Sequence, residues 1–350
     1  MQKVIKYSSN PTVYGTGLVA LDIVIGSDAN ESAYHWAGGT CGNVLTILSY
    51  LNWTSFPIAR LNEESSSVRV KNDMKKWGVR LDFAELSPTA SVPVITQEIS
   101  KDKEGNPVHK FHWRNCPKCG SWLPNYKPVT LKGTKTVKEK TQKGDVFFFD
   151  RTSPGALDIA RHFKELGCII FFEPSAKGDP KHFEEAVKLA DIVKYSDQRF
   201  SSIISENTKI NRPFLEIQTL GGNGLRYRLA NHTAWCQLAA FEVTELSDTC
   251  GCGDWTTAGI ISQLCSAGLE SLRSEESSEK IEGALRYGQA LGAWNCSFEG
   301  ARGGMYRVNK RVFEKEVNLI LNEGKPRSRS HPGKPRTEHA SDGLCPACPG

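Results

Sequence analysis

The chain has 350 residues, 39% hydrophobic and 24% charged, the balance of a soluble globular protein with one large α/β domain or two smaller ones. Its formal charge is +5, but the stretch from Lys325 onward carries three of those charges. The body is therefore nearly neutral and gives no electrostatic case for a nucleic-acid partner. No run of about 18 apolar residues is present, so no membrane-spanning helix is expected. The first residues lack the apolar core of a secretory leader, which makes the cytoplasm the expected location.

In chain order, residues 12–26 ("TVYGTGLVALDIVIG") read as a strand interrupted by glycines and one charge. "GGTCGNVLTILSYLNW" passes from glycines into a helix with Val44, Ile47, Leu48 and Leu51 on one face. "SVPVITQEIS" alternates as a strand does. From residue 144 the pattern is regular: strand "DVFFFD", helix "PGALDIARHFKELG" with Pro at its start and Gly at its end, strand "CIIFFE", helix "DPKHFEEAVKLA", strand "DIVKY". "FLEIQTLGGNG" is a strand running into a glycine turn, and three helices complete the body. Strands alternating with helices imply a mostly parallel sheet joined by crossovers. After Asn322 the composition turns to Gly, Pro, Ser and basic residues, which reads as a disordered tail.

The stretch "TELSDTCGCGDWTTAG" (244–259) sets glycines and a carboxylate at the mouth of a helix. Ligands of open α/β sheets sit beyond the carboxyl ends of the strands. A glycine turn entering a helix there offers unpaired amides backed by the helix dipole. Gly251, Cys252 and Gly253 would present such amides to a phosphate, and Asp254 would face the group that gains or loses the phosphoryl.

Asp-Thr-x-Gly-x-Gly-Asp followed by a small-residue helix resembles the C-terminal signature of the ribokinase-like (PfkB-type) carbohydrate kinases. The resemblance runs from about residue 12 to 320 and implies an α/β three-layer sandwich with a mostly parallel central sheet and a small β lid. The kinase domain would span 1–323, with the lid from parts of 15–40 and 90–125 and a basic tail over 324–350. The resemblance makes Asp254 the catalytic base and Gly251, Cys252 and Gly253 the anion hole. "GLVALD" and "AGGTCGN" match the substrate-binding segments, here Asp22, Gly38, Gly39 and Asn43. "TLGGNG" resembles the nucleotide loop, putting Thr219, Gly221 and Gly224 next to ATP, and "FEGAR" resembles the Gly-Ala after the adenine-flanking helix. The implied activity is ATP- and Mg²⁺-dependent phosphorylation of a hydroxyl on a sugar, sugar derivative or nucleoside, in a protein that pairs as a homodimer through its lid.

The family's Asn-x-x-Glu, whose Glu helps organise Mg²⁺ and phosphate, is replaced by "SDQR", with Ser196 and Arg199 in its place. An alternative reading follows: a ligand-binding sensor on the same fold whose catalysis is weakened or lost. Cys252 stands where the family has Ala; a helix N-terminus would lower its thiol pKa, and Cys250 is a candidate partner. In "FDRTSPG", Arg151 would suit a substrate bearing phosphate or carboxylate.

Four of the eleven cysteines form two Cys-x-x-Cys pairs, Cys116/Cys119 in "CPKCG" and Cys345/Cys348 in "CPACPG". Each is half of a tetrahedral zinc site, and together they would make one Cys₄ site, in one chain or between two. His109 and His112 are alternative ligands, and redox-active or free thiols are the competing reading. Trp113 and Trp122, which flank the first pair, are expected to pack the insertion.

Overall fold

The structure, a computed structural model, describes residues 10–25, 33–87, 89–105, 107–117, 119–203, 212–274 and 277–324. In chain order its elements are β1 (Thr12–Thr16), β2 (Ala20–Ile25), β3 (Tyr34–Gly38), α1 (Thr40–Tyr50), β4 (Thr54–Leu61), α2 (Ser65–Lys76), β5 (Ala84–Leu86), β6 (Val94–Lys101) and β7 (Pro107–His112). There follow α3 (Leu131–Lys140), β8 (Val146–Phe149), α4 (Pro154–Glu165), β9 (Ile169–Phe172), α5 (Pro180–Leu189), β10 (Ile192–Ser196) and β11 (Leu215–Thr219). The chain continues with β12 (Leu225–Leu229), β13 (Cys236–Leu238), α6 (Cys252–Leu264), α7 (Gly268–Leu272), α8 (Ser277–Asn295), α9 (Gly303–Arg307) and α10 (Lys310–Glu323).

Apolar runs such as "VFFF" are buried on both sides because side chains alternate across a strand. Phe148 faces one core with α1, α2, α6, α8 and α10, while Phe147 and Phe149 face the other with α3, α4 and α5. The sheet between these cores has nine strands in the order β13-β12-β11-β10-β9-β8-β1-β4-β5. Every pairing from β11 to β5 is parallel, and β12 and β13 extend one edge as antiparallel strands. This is the three-layer α/β sandwich expected from the alternating pattern. Local signals are realised as well: Ser153 Oγ caps α4 by accepting from the Ala156 amide at 3.1 Å, with Pro154 at the first position.

A second sheet of four strands, β3-β2-β6-β7, stands apart from the main one. Residues 12–26 are therefore not one strand, as the sequence suggested, but two strands in different sheets. The break comes at Gly17, where a Cβ would lie 1.6 Å from Asp150 Oδ1; only a glycine lets the chain turn there against that carboxylate. Asp22 consequently rides on the small sheet, above the carboxyl ends of the large one. On the small sheet's outer strand Val108 and Phe111 are exposed, and Trp113 and Trp122 are 56% and 78% exposed. The two tryptophans do not pack the insertion.

Candidate active site

Gly251 opens α6 in the left-handed region, with φ of 75°, and a Cβ on it would meet the Ala301 carbonyl oxygen at 2.3 Å. The turn therefore requires glycine on both conformational and steric grounds. It delivers the first turn of α6, whose amides have no intrahelical acceptor, to the carboxyl-end face of the sheet. The Cys252 amide makes a long 3.3 Å bond to the Thr249 carbonyl, and a Cβ on Gly253 would lie 3.8 Å from Lys194 Nζ and 4.0 Å from Glu173 Oε1.

Asp254 stands in this first turn. Its Oδ2 accepts from Asn43 Nδ2 at 2.8 Å, which joins α1 to α6. Burial, reinforced by the nearby Glu173 carboxylate, raises the Asp254 pKa from 3.8 to about 7, against the opposing pull of Asn43, Lys194 and Arg199. A carboxylate so placed can exchange a proton near neutrality.

Asn43 is in turn held by Arg302, whose Nε donates to Asn43 Oδ1 at 3.1 Å. Arg302 is 1% exposed, pairs with Asp73 at 2.9 Å and donates to the Ala37 carbonyl. The Tyr306 hydroxyl donates to Asp73 as well, at 2.8 Å. This buried network fixes the amide orientation of Asn43: its oxygen faces a guanidinium, so its nitrogen must face Asp254.

Asp22 lies against Gly38, where a Cβ would come within 1.8 Å of Asp22 Oδ2. Gly38 is thus the space the carboxylate occupies. Burial lifts the Asp22 pKa to about 6, while Arg302 and the Gly39 amide pull it down. Gly39, with φ of 75°, precedes the first residue of α1. The structure thus brings Asp22, Gly38, Gly39, Asn43, Asp254 and the 251–253 turn into one cluster. Thr219, Gly221 and Gly224 lie further along the same edge, at the end of β11 and the turn after it; nothing lies within 4 Å above Gly221.

The sequence assigned no role to several residues of this cluster. Lys194 on β10 is 1% exposed, and its Nζ pairs with Glu173 Oε1 at 2.5 Å and donates to the Gly253 carbonyl at 3.2 Å. The other Glu173 oxygen accepts from Thr257 at 2.5 Å, so β9, β10 and α6 are tied directly beneath the glycine turn. Asp150, just past β8, is 1% exposed; its Oδ1 accepts from the Leu18 amide at 2.9 Å and its Oδ2 has no hydrogen-bond partner among the described residues. Burial raises its pKa to about 6. Asp248 accepts from the Cys250 amide at 2.6 Å, the Gly300 amide at 2.7 Å and Gln97 on β6 at 3.0 Å. One buried carboxylate thereby joins the small sheet, the glycine turn and the "FEGAR" segment.

The cysteine readings are corrected in part. The partner of Cys252 is Cys296, not Cys250, with Sγ atoms 2.9 Å apart. The Cys252 thiol is pushed up rather than down, by that hydrogen bond first and then by burial. The Cys119 amide donates to Cys116 Sγ at 3.5 Å, the turn a knuckle needs. His109 is engaged with Gln97 and Asp248, and His112 with Glu98, so neither serves that turn. Cys345 and Cys348 lie outside the described residues. Among the described residues no group of three His, Cys, Asp or Glu could hold a metal, and no helix is long and apolar enough to cross a membrane.

The chain has the ribokinase-like fold and resembles the PfkB-type carbohydrate kinases in sequence as well. It is 21% identical over 271 residues to an ATP-dependent ribose-1-phosphate kinase of Halopiger xanaduensis, covering 76% of this chain and 82% of that one. Among solved structures, a fructokinase double mutant from Vibrio cholerae O395 holding fructose, ADP and potassium superposes with a TM-score of 0.65 at 18% identity, covering 91% of this chain and 100% of that one. Aminoimidazole riboside kinase from Salmonella enterica, with its riboside and an ATP analogue, gives 0.64 at 17% identity, over 89% of this chain and 100% of that one. No protein-family model matches the chain.

Proposed function

We propose that the protein is an ATP-dependent kinase that phosphorylates a hydroxyl of a sugar, sugar derivative or nucleoside, with Asp254 as the catalytic base. The observation that carries this reading is the juxtaposition at the start of α6: the buried Asp254 carboxyl, its pKa raised to about 7, in the first turn of a helix whose glycine start has no side-chain cap. Asp254 takes the acceptor hydroxyl's proton as the oxygen attacks the terminal phosphoryl of the nucleotide. The amides of the 251–253 turn stabilise the charge gathering on the transferred oxygens, and their rigidity removes the need to reorient in the transition state. Asp22, Gly39 and Asn43 orient the acceptor, with Asn43 itself locked by Arg302. Asp150, whose buried Oδ2 has no hydrogen-bond partner among the described residues, joins them as an acceptor-binding residue. Thr219, Gly221 and Gly224 border the nucleotide.

The carboxylates of the site do not form a metal cage: Glu173 is satisfied by Lys194 and Thr257, and Asp254 by Asn43. Mg²⁺ therefore belongs to this reading as a companion of the nucleotide phosphates, whose charge it offsets. Zinc belongs to the Cys116/Cys119 turn, which supplies two ligands and needs two more. We read the protein as cytoplasmic, and a homodimer through the small sheet fits the exposed Phe111 and Trp113.

The test is ADP release from Mg·ATP with pooled sugars, sugar phosphates and nucleosides as acceptors. Acceptor-dependent release is the expected result; binding of ATP or acceptor without any release would favour the sensor reading. The kcat/KM of that reaction is expected to rise with pH and level off above about 7, because the base works only when ionised. A rate flat from pH 5.5 to 8.5 would remove Asp254 from the role.

Gly38→Ala supplies a separate check on Asp22. The added methyl would displace the carboxylate that now lies 1.8 Å from its position. Losing a charge-assisted hydrogen bond to the acceptor should raise the acceptor KM about tenfold or more, with ATP affinity unchanged. An unchanged acceptor KM would show that Asp22 does not bind it.

A further inference from the structure

β10 ends at Ser196, and the chain then turns back: the Arg199 amide donates to the Ser196 carbonyl at 3.1 Å and the Asp197 amide to the Thr219 carbonyl at 3.0 Å. The turn is thus pinned at the carboxyl end of β10 against the end of β11, where the glycine turn begins, on the strand whose Lys194 reaches the Gly253 carbonyl at the start of α6. Asp197, Gln198 and Arg199 are all exposed. Arg199 has no carboxylate within ion-pair distance among the described residues, whereas Lys194, on the strand that leads into the turn, is paired with Glu173. Its charge is nevertheless felt by two buried carboxyls on different elements, Asp150 after β8 and Asp254 on α6. Arg199 forms an ion pair with neither of them.

An exposed arginine on a pinned turn at the carboxyl end of β10, with no carboxylate paired to it among the described residues, is complementary to phosphate, which its planar fork binds through two parallel hydrogen bonds. A carboxylate in its place would hold a cation; an arginine holds the anion directly. The described residues also lack a three-ligand group for a metal.

We propose that Arg199 binds the phosphate chain of the nucleotide, so that this chain grips its nucleotide with a side-chain cation and depends correspondingly less on a metal ion for that grip. The inference rests on the kinase reading only for the identity of the anion. In the kinase reading the turn that carries Arg199, bonded to Thr219, belongs to the nucleotide side of the site, and Asp22, Gly38 and Asn43 to the acceptor side.

The test is calorimetric titration of the full chain with ADP, in EDTA and in excess Mg²⁺, for wild type, Arg199→Ala, Arg199→Lys and Arg199→Glu, with adenosine as the phosphate-free control. Wild type is expected to bind ADP in EDTA. Arg199→Ala should weaken that binding about 10- to 100-fold, the value of one bidentate charged contact, and leave adenosine affinity unchanged. Arg199→Lys should fall between the two. Arg199→Glu should lose ADP binding in EDTA and regain part of it with Mg²⁺. Equal ADP affinity of wild type and Arg199→Ala in EDTA would overturn the proposal, as would wild type that binds ADP only with Mg²⁺. Equal loss of adenosine and ADP affinity in Arg199→Ala would also overturn it, since that marks a structural role. The kinase reading fails separately: wild type that binds ADP as expected but transfers no phosphoryl to any acceptor would refute it and leave the Arg199 assignment standing.

Discussion

Replacing Asp254 with Asn is expected to lower kcat about 10²- to 10⁴-fold, the usual contribution of a positioned general base, with acceptor and ATP affinities nearly unchanged. The substitution keeps the shape of the side chain and its acceptor oxygen for Asn43 Nδ2, now 2.8 Å away, so the α1–α6 contact survives. What disappears is the ability to take a proton. The same change should not weaken the fold. Burial raises the Asp254 pKa from 3.8 to about 7, so the folded protein holds that proton more tightly than the unfolded chain does. The stabilisation due to this difference is complete below the unfolded pKa and is lost as pH rises through about 7. At pH 8 the wild type therefore carries the cost of a buried ionised carboxylate, which Asn lacks. Thermal melts at pH 8 should place Asp254→Asn no lower than wild type, so that lost turnover cannot be ascribed to unfolding. A variant retaining near-normal kcat would refute the base assignment.

Arg302→Met is expected to cost about 3–5 kcal/mol of stability, because it removes one partner of a buried pair and strands the other. The Arg302 side chain is 1% exposed and that of Asp73, 2.9 Å away, is 10% exposed. After the change Asp73 keeps the Tyr306 hydroxyl and the Ala37 amide, but no cation. Asp22, already raised to about 6, loses the charge that pulls it down and should become still harder to ionise. Asn43 loses the donor that orients its amide, so the folded fraction should show a lower kcat as well. Arg302→Lys keeps a charge but not the fork that reaches Asn43, Ala37 and Asp73 together; it should recover part of the stability and little of the rate. Denaturant unfolding of both variants checks the first claim, and a Met variant within 1 kcal/mol of wild type would show that the network does not support the site.

The two expectations differ in how visible their residues were. Asp254 sits in a signature whose meaning is local: glycine, left-handed turn and helix start occupy neighbouring positions, and backbone physics over four residues already implies an anion-binding end. Arg302 carries no such sign. It follows "FEGA" as an ordinary basic residue, and its partner Asn43 is 259 residues away in the chain. Lys194 likewise reads as a polar interruption of an apolar strand until β9 and α6 bring Glu173 and Gly253 to it.

The sequence by itself determined the local and periodic features: the alternation of strands and helices that makes a parallel three-layer sheet, the glycine turn at the mouth of α6, the resemblance that follows from the order of these motifs, and the near-neutral body. Only the tertiary structure decided which charged residues would be buried and against what. It put Asp22 on a second sheet by breaking the first apolar segment at Gly17, paired Cys252 with Cys296, left Trp113 and Trp122 exposed, and made Asp248 the tie between sheet and turn. The physical reason is range. Propensity, capping and periodicity act within a few residues and leave a record in the string. The desolvation and pairing of a charge depend on groups brought together from distant parts of the chain, and a single string keeps no record of who those partners are.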